Sequence, residues 1–381
     1  MSSTATSTQG SGLQIRDNLA NDYSDIYTPE VLAALAHMSQ YNVEQKRLMD
    51  ERTKRRLTRM RDRKPIGFLP ADSVIEGTGI RVQDARDGNF VGTVITRDLQ
   101  RQWLQGTGPA AKPNSPVKAN LRNVAYALLS GADGWMFDGE DALGQITTMS
   151  LDNQRSLKLA IARDPQFLEV AEAVSAEMNA WARDFFGREI ISDWREQLDF
   201  TTKIFRARGL HLHDRHTRLD GESFSASITD MTLYVVNNYK VLQAAGSSIV
   251  LYLPKIQTAE EAGYWNRLLT ALESYLGLDE GTIKVYVLVE QLEATFQLME
   301  IRAALGLHFV GFNTGRWDYI NSVSDANCWD SGFINPNIES IVMTYGYMRN
   351  YEDRVRRAVN TPDANGNFAL WQGGMEPNIP G

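Results

Sequence analysis

Cysteine is nearly missing from this 381-residue chain: Cys328 stands alone, which excludes an internal disulfide and a cysteine-rich zinc site. No apolar run approaches the ~18 residues that a membrane-spanning helix needs. Charge of neither sign dominates, with 39 basic side chains against 47 acidic ones and a net charge of −8 with histidine neutral. That balance offers no general attraction to nucleic acid or to anionic lipid. The first residues, Met1 to Gly12, hold no apolar stretch, so residues 1–26 are expected to form a disordered tail rather than a signal peptide. Missing too are GxGxxG, the P-loop pattern, GxSxG and HExxH. A reducing compartment, the cytoplasm, is the default.

What is present is a large core and a rhythm. At 43% hydrophobic, the chain suits one barrel plus an appendage. Thr28-Pro29-Glu30 starts a helix, with a capping hydroxyl and proline at the first helical position, that should run to about Met60. Its second half is basic, from Lys54 to Lys64. One reading makes it a nucleic-acid arm; the other makes it a solvated face that also carries Glu and Asp. Aromatic interleaving is absent, which favours the second. Apolar segments then alternate with helical ones, and strands are expected at 102–104, 134–137, 203–206, 248–253, 283–289, 308–312 and 368–371. Alternating strands and helices argue a parallel, right-handed array. The expected fold is α/β, of the (β/α)8 TIM-barrel type, incomplete at the C-terminus because seven strands fall one short of eight. The expected domains are the tail, an N-terminal helical clasp over 27–98, and a barrel over 99–381 with an insertion at about 165–195.

In such barrels the chemistry sits just past the strand ends. There the sequence places Asp138, Glu140 and Asp141; Arg206 and Arg208; Lys255; Glu290; and Gly315-Arg316-Trp317-Asp318. Glu290 and Asp318 follow consecutive apolar strands, so the pair can share one hard cation. The other residues have ordinary structural readings as well: helix capping for the acids, rim ion pairs for the arginines, a solvated turn for Lys255. His211, His213 and His216 raise a zinc site, but the remaining histidines, His37 and His308, fall elsewhere and the ligand set is short. Cys328 has no distinctive flank and reads as a buried small residue.

Six segments, in this order, resemble the malate synthase family in its shorter form. They are Phe137-Asp138-Gly139-Glu140-Asp141; Arg206-Ala207-Arg208-Gly209-Leu210-His211; Tyr252-Leu253-Pro254-Lys255 with Trp265-Asn266; Val287-Leu288-Val289-Glu290 with Phe296; Gly311 to Tyr319; and Gly373-Gly374-Met375 with Ile379-Pro380. Ala207 and Leu210 stand where proline and tryptophan are usual, and Phe312 replaces a leucine. The resemblance implies a Mg²⁺-dependent condensation of acetyl-CoA with glyoxylate to malate and CoA, a step of the glyoxylate cycle. It implies Glu290 and Asp318 as metal ligands, Arg206 as the catalytic arginine, and Gly315, Arg316 and Trp317 around the substrate. Asp138, Glu140 and Asp141 would support the metal's water shell, and Arg208, Lys255 and Pro380 would meet acetyl-CoA. The family draws its proton-abstracting aspartate from a helical C-terminal domain. The chain ends before that domain, so activity is expected to need completion by the rest of the protein or by another chain. A peroxisomal or glyoxysomal address is the alternative to the cytoplasm. A related lyase or aldolase acting on another 2-oxo acid, and a non-catalytic barrel scaffold, remain as alternative functions.

Overall fold

The computed structural model describes residues 6–7, 12–106, 112–141 and 147–374. It divides into two compact units that interleave along the chain. The first comprises Met1–Gln40, Thr96–Arg208 and Leu212–Tyr252, the second Tyr41–Ile95, Gly209–His211 and Leu253–Gly381. All seven expected strands are present, each within two residues of its expected bounds. They are Trp103–Gly106 (β1), Gly134–Asp138 (β2), Thr202–Arg206 (β3), Ile249–Leu253 (β4), Ile283–Val289 (β5), Phe309–Thr314 (β6) and Leu370–Gln372 (β7). The fold is α/β, of the barrel type with strands and helices in alternation.

In the first unit, β1 to β4 pair in parallel, with Trp103 opposite Gly134, Asp138 opposite Arg206 and Arg206 opposite Tyr252. Strands β2, β3 and β4 are buried along their whole length. Strands covered on both faces read as unbroken apolar runs, which is why composition alone located them. The expected insertion is a helix, Pro165–Phe186, followed by a short one, Trp194–Phe200. Asp164 caps the first through Gln166 N at 2.9 Å, and Gly187 ends it in the left-handed conformation at φ 70°.

One expectation gives way here. Part of the tail is ordered: Leu13–Ile15 pairs antiparallel with Thr217–Leu219, because Leu13 and Ile15 are both buried, at 0% and 1% exposure. The partner strand, His213–Leu219, with Glu222–Ser225 makes a hairpin in which exposed His213 and Arg215 alternate with buried Asp214 and His216. His213 and His216 therefore lie on opposite faces of one strand, in keeping with the short zinc ligand set.

In the second unit, β5, β6 and β7 pair in parallel. The long N-terminal helix is in fact two. Pro29–Met38, capped by the Thr28 hydroxyl on Val31 N at 3.3 Å, belongs to the first unit. A 3-10 turn at Ser39–Tyr41 precedes Asn42–Asp62, which belongs to the second. The basic half of that second helix packs one face on its own unit and leaves the other solvated, with Arg56, Arg61 and, just past its end, Lys64 more than half exposed. Arg52 and Arg55 reach Glu261 at 3.3 and 3.4 Å, Arg59 reaches Glu293 at 2.7 Å, and Arg56 grips Asp325. Four arginines thus hold the helix to acids of its own unit. Cys328 is exposed, against the buried position expected for it. Among the described residues no helix is long and apolar enough to cross a membrane.

Candidate active site

Strands β5 and β6 run side by side with Leu288 opposite Asn313 and Val289 opposite Thr314, so they finish at the same level. The next residue after β5 is Glu290, at 0% exposure. After β6 comes Gly315 and then the helix Arg316–Ala326, whose first turn carries Asp318. Gly315 is dictated by space, since its φ of −110° suits any residue. A Cβ there would lie 2.9 Å from both Glu290 Cβ and Leu288 Cδ1. The glycine lets the β6 turn close on the β5 end, and that closeness brings Asp318 toward Glu290.

The point where the two acids meet is held by a lysine. Lys255, which follows β4 and Pro254, donates from Nζ to Glu290 Oε2 at 2.8 Å and to Asp318 Oδ2 at 3.0 Å. Its backbone N–H donates to Glu290 Oε1 at 2.7 Å. The main chain at Lys255 is left-handed, φ 56°, a conformation that costs a residue with a β-carbon about 1–2 kcal/mol. It is kept there by that N–H bond and by Arg52, whose guanidinium donates to the Lys255 carbonyl. The Lys255 ammonium, expected to meet acetyl-CoA, is engaged with the two carboxylates.

Tyr351, on the helix Gly346–Asn360, carried no signal in the sequence. Its hydroxyl donates to the Val289 carbonyl and accepts from Gly315 N at 2.8 Å, tying the ends of β5 and β6 together. Burial pushes its pKa well up, so it stays a neutral donor. Its ring stacks on Tyr319 with centroids 4.0 Å apart. An aromatic at a helical spacing would have read as core; only the strand-end carbonyl and N–H reveal its place.

Of the expected substrate-binding trio, Gly315 has its N–H shared between Tyr351 and the Val289 carbonyl, the latter at 3.1 Å. The Arg316 guanidinium lies over the Trp317 ring, 4.4 Å from its centroid, and donates to the Ile341 carbonyl at 2.9 Å. Both are spent on local structure. What the segment offers an anion is the start of an 11-residue helix, where first-turn N–H groups lack carbonyls one turn back.

The first unit has its own ionic centre. Arg206, the last residue of β3, faces Asp138, the last residue of β2, in a bidentate pair: Nε to Oδ1 at 2.7 Å and Nη2 to Oδ2 at 2.6 Å. Glu140 N donates to Asp138 Oδ1 at 2.9 Å, and the Glu140 and Asp141 carboxylates lie 3.9 and 3.4 Å from the guanidinium. Burial acts to lower the Arg206 pKa, and the charges of Asp138 and Glu140 outweigh it, raising the pKa above its usual value. Arg206 is thus a permanent, oriented cation. Both Asp138 oxygens are given to Arg206.

Arg208, likewise expected to meet acetyl-CoA, is enclosed by acids of its own unit. It is 1% exposed, and Asp230 takes its Nε at 2.8 Å, its Nη2 at 2.6 Å and its backbone N–H at 2.9 Å, while Asp214 takes Nη2 at 2.9 Å. No donor set so enclosed is presented to a co-substrate. Pro380 lies outside the described residues.

Comparison with known proteins agrees with the motif reading. The family model described as "Malate synthase, TIM barrel domain" matches residues 202–381. The glyoxysomal malate synthase of Candida tropicalis is 30% identical over 370 residues, covering 97% of this chain and 60% of that protein. Malate synthase A of Escherichia coli is 30% identical over 314 residues, 82% of this chain and 52% of that protein. The bifunctional glyoxylate cycle protein of Caenorhabditis elegans is 34% identical over 294 residues, 77% of this chain and 27% of that protein. The chain spans 60% or less of the length of each of these curated relatives.

Proposed function

The chain belongs to the malate synthase family, and from that premise we propose that it serves the Mg²⁺-dependent Claisen condensation of acetyl-CoA with glyoxylate, giving malate and CoA. The observation that carries this reading is the convergence of Glu290 Oε2 and Asp318 Oδ2 on one positive charge, each within 3.0 Å of the Lys255 nitrogen. Two carboxylates already aimed at a shared cation form a hard, oxygen-only donor set. That suits Mg²⁺, which takes one or two carboxylates and completes its shell with substrate oxygens and water. When bound there, Mg²⁺ would supply Lewis acidity toward the carbonyl oxygens of glyoxylate.

The chain's own residues have distinct tasks. First-turn N–H groups of the helix Arg316–Ala326 suit the glyoxylate carboxylate, since a helix N-terminus favours anions. From the family motif, Arg206 has the task of donating to the oxygen that becomes negative as the acetyl carbon attacks the aldehyde. Its plane is fixed by Asp138 beforehand, so little reorganisation accompanies the reaction. Glu290, held by the Lys255 and Gly315 segments, fixes where the aldehyde is presented. The roles of Arg206 and of the 316–318 turn are carried over from the family motif and supported by these contacts. A cytoplasmic location, or a peroxisomal one as in the glyoxysomal relatives, is part of the proposal; fractionation of the source cells decides between them.

The test has two arms. Calorimetry should detect glyoxylate binding only when Mg²⁺ is present, and Glu290→Gln or Asp318→Asn should each abolish it. In the full-length protein, acetyl-CoA plus glyoxylate should release free CoA thiol, and chelation of Mg²⁺ should stop the release. Glyoxylate binding indifferent to Mg²⁺ and to both substitutions would refute the site. Thiol release with a different 2-oxo acid and none with glyoxylate would move the chemistry to a related lyase.

A further inference from the structure

We infer that Lys255 is a resident counter-ion that Mg²⁺ must displace, so that this one side chain sets the metal affinity of the Glu290–Asp318 pair. The inference rests on the metal-site reading above and adds a residue to it. Three features of the second unit support it.

The first is electrostatic. Glu290 is wholly buried and Asp318, with its side chain 41% exposed, reaches the same point, so two like charges converge with at least one of them cut off from solvent. The Lys255 ammonium, 2.8 and 3.0 Å from one oxygen of each, is the positive charge placed between them. The second is steric and chemical. An ammonium group has three donors and no lone pair to offer, so it cannot join a coordination shell. It occupies the place where a shared metal would sit, and only one of the two cations fits between those oxygens.

The third is mechanical. The main chain at Lys255 is anchored by its N–H on Glu290 Oε1 at 2.7 Å and by Arg52 on its carbonyl. The anchoring does not involve the ammonium. The four-carbon stem above it is flexible, so the charge can leave while the backbone stays. The Glu290 carboxylate therefore keeps one of its oxygens oriented whether or not the ammonium is in place. Removing the charge should thus improve metal binding without dismantling the site.

The experiment is a magnesium titration by calorimetry, without substrates, on wild type, Lys255→Met and Lys255→Arg, with thermal unfolding of each. Lys255→Met should bind Mg²⁺ at least tenfold more tightly than wild type. Its metal-free form should melt lower, and added Mg²⁺ should raise its midpoint more than it raises the wild-type midpoint. Lys255→Arg, which keeps a competing charge, should bind as weakly as wild type. Lys255→Gln gives the same neutral comparison if the methionine variant fails to fold. Unchanged or weaker binding by the neutral variants, with wild type binding normally, overturns the displacement and leaves the metal site intact. Absence of Mg²⁺ binding in every variant, wild type included, overturns both.

Discussion

The two units each gather one cation and two carboxylates, and they use them in opposite ways. In the first, Arg208 is enclosed by Asp230 and Asp214, all three side chains 3% exposed or less. In the second, Lys255 lies between Glu290 and Asp318, with the aspartate side chain 41% exposed and the lysine 16%. A planar guanidinium in a bidentate fork, cut off from solvent, is a closed structural joint. A single ammonium on a long stem, with one acid facing solvent, is an exchangeable arrangement. Similar charges produce a brace in one place and a binding site in the other, and the difference lies in donor geometry and access.

Breaking the brace should have the largest effect. Arg208→Met leaves Asp230 and Asp214 buried and uncompensated, so unfolding by urea should show a loss of about 3–5 kcal/mol. An equal loss from Lys255→Met would erase the contrast. Gly315→Ala tests the binding site through its frame. The added methyl meets Glu290 and Leu288 at 2.9 Å, so about 1–3 kcal/mol of stability and at least tenfold in Mg²⁺ affinity should go. Tyr351→Phe removes the hydroxyl shared by the Val289 carbonyl and the Gly315 N–H, at about 1–2 kcal/mol, with a smaller weakening of Mg²⁺ binding.

The last effect is graded with pH and involves another buried cation. Lys203 donates to the Leu198 carbonyl at 2.6 Å, and burial pulls its pKa down to about 7. The unfolded chain then holds the proton to higher pH than the folded one. This lysine makes stability rise with pH between about 7 and 10, by at most about 1.4 kcal/mol per pH unit. Denaturation at pH 7 and pH 9 should show that rise in wild type and a flatter profile in Lys203→Met. Identical profiles would mean that the folded chain keeps this lysine charged.

Why some of this was legible and some was not follows from where each residue finds its partner. The seven strands could be read because a parallel sheet buried on both faces writes itself as apolar runs, such as Ile283–Val289. Glu290 and Asp318 could be read because a strand end is a local position, and the convergence of the two follows from parallel pairing. The acids that Arg208 and Lys255 meet could not be read. An arginine past a strand looks the same whether its acid lies on a distant helix, as Asp230 does, or on a ligand. Tyr351 serves a carbonyl 62 residues away, and nothing near it in the chain points there. The hairpin from His213 to Ser225 was missed because its alternation is written in charged residues, with Asp214 buried as a partner of Arg208 rather than as an apolar residue. The break at Ser39–Tyr41 has no proline or glycine to announce it; it falls where the chain passes between units.

The most direct test uses Mn²⁺, which shares the preference of Mg²⁺ for oxygen ligands and scatters anomalously. Crystals of the protein soaked in Mn²⁺ should give one strong anomalous peak bridging Glu290 and Asp318, with the Lys255 ammonium swung away from it. A peak elsewhere, or none between those carboxylates with Lys255 still seated there, would contradict the account.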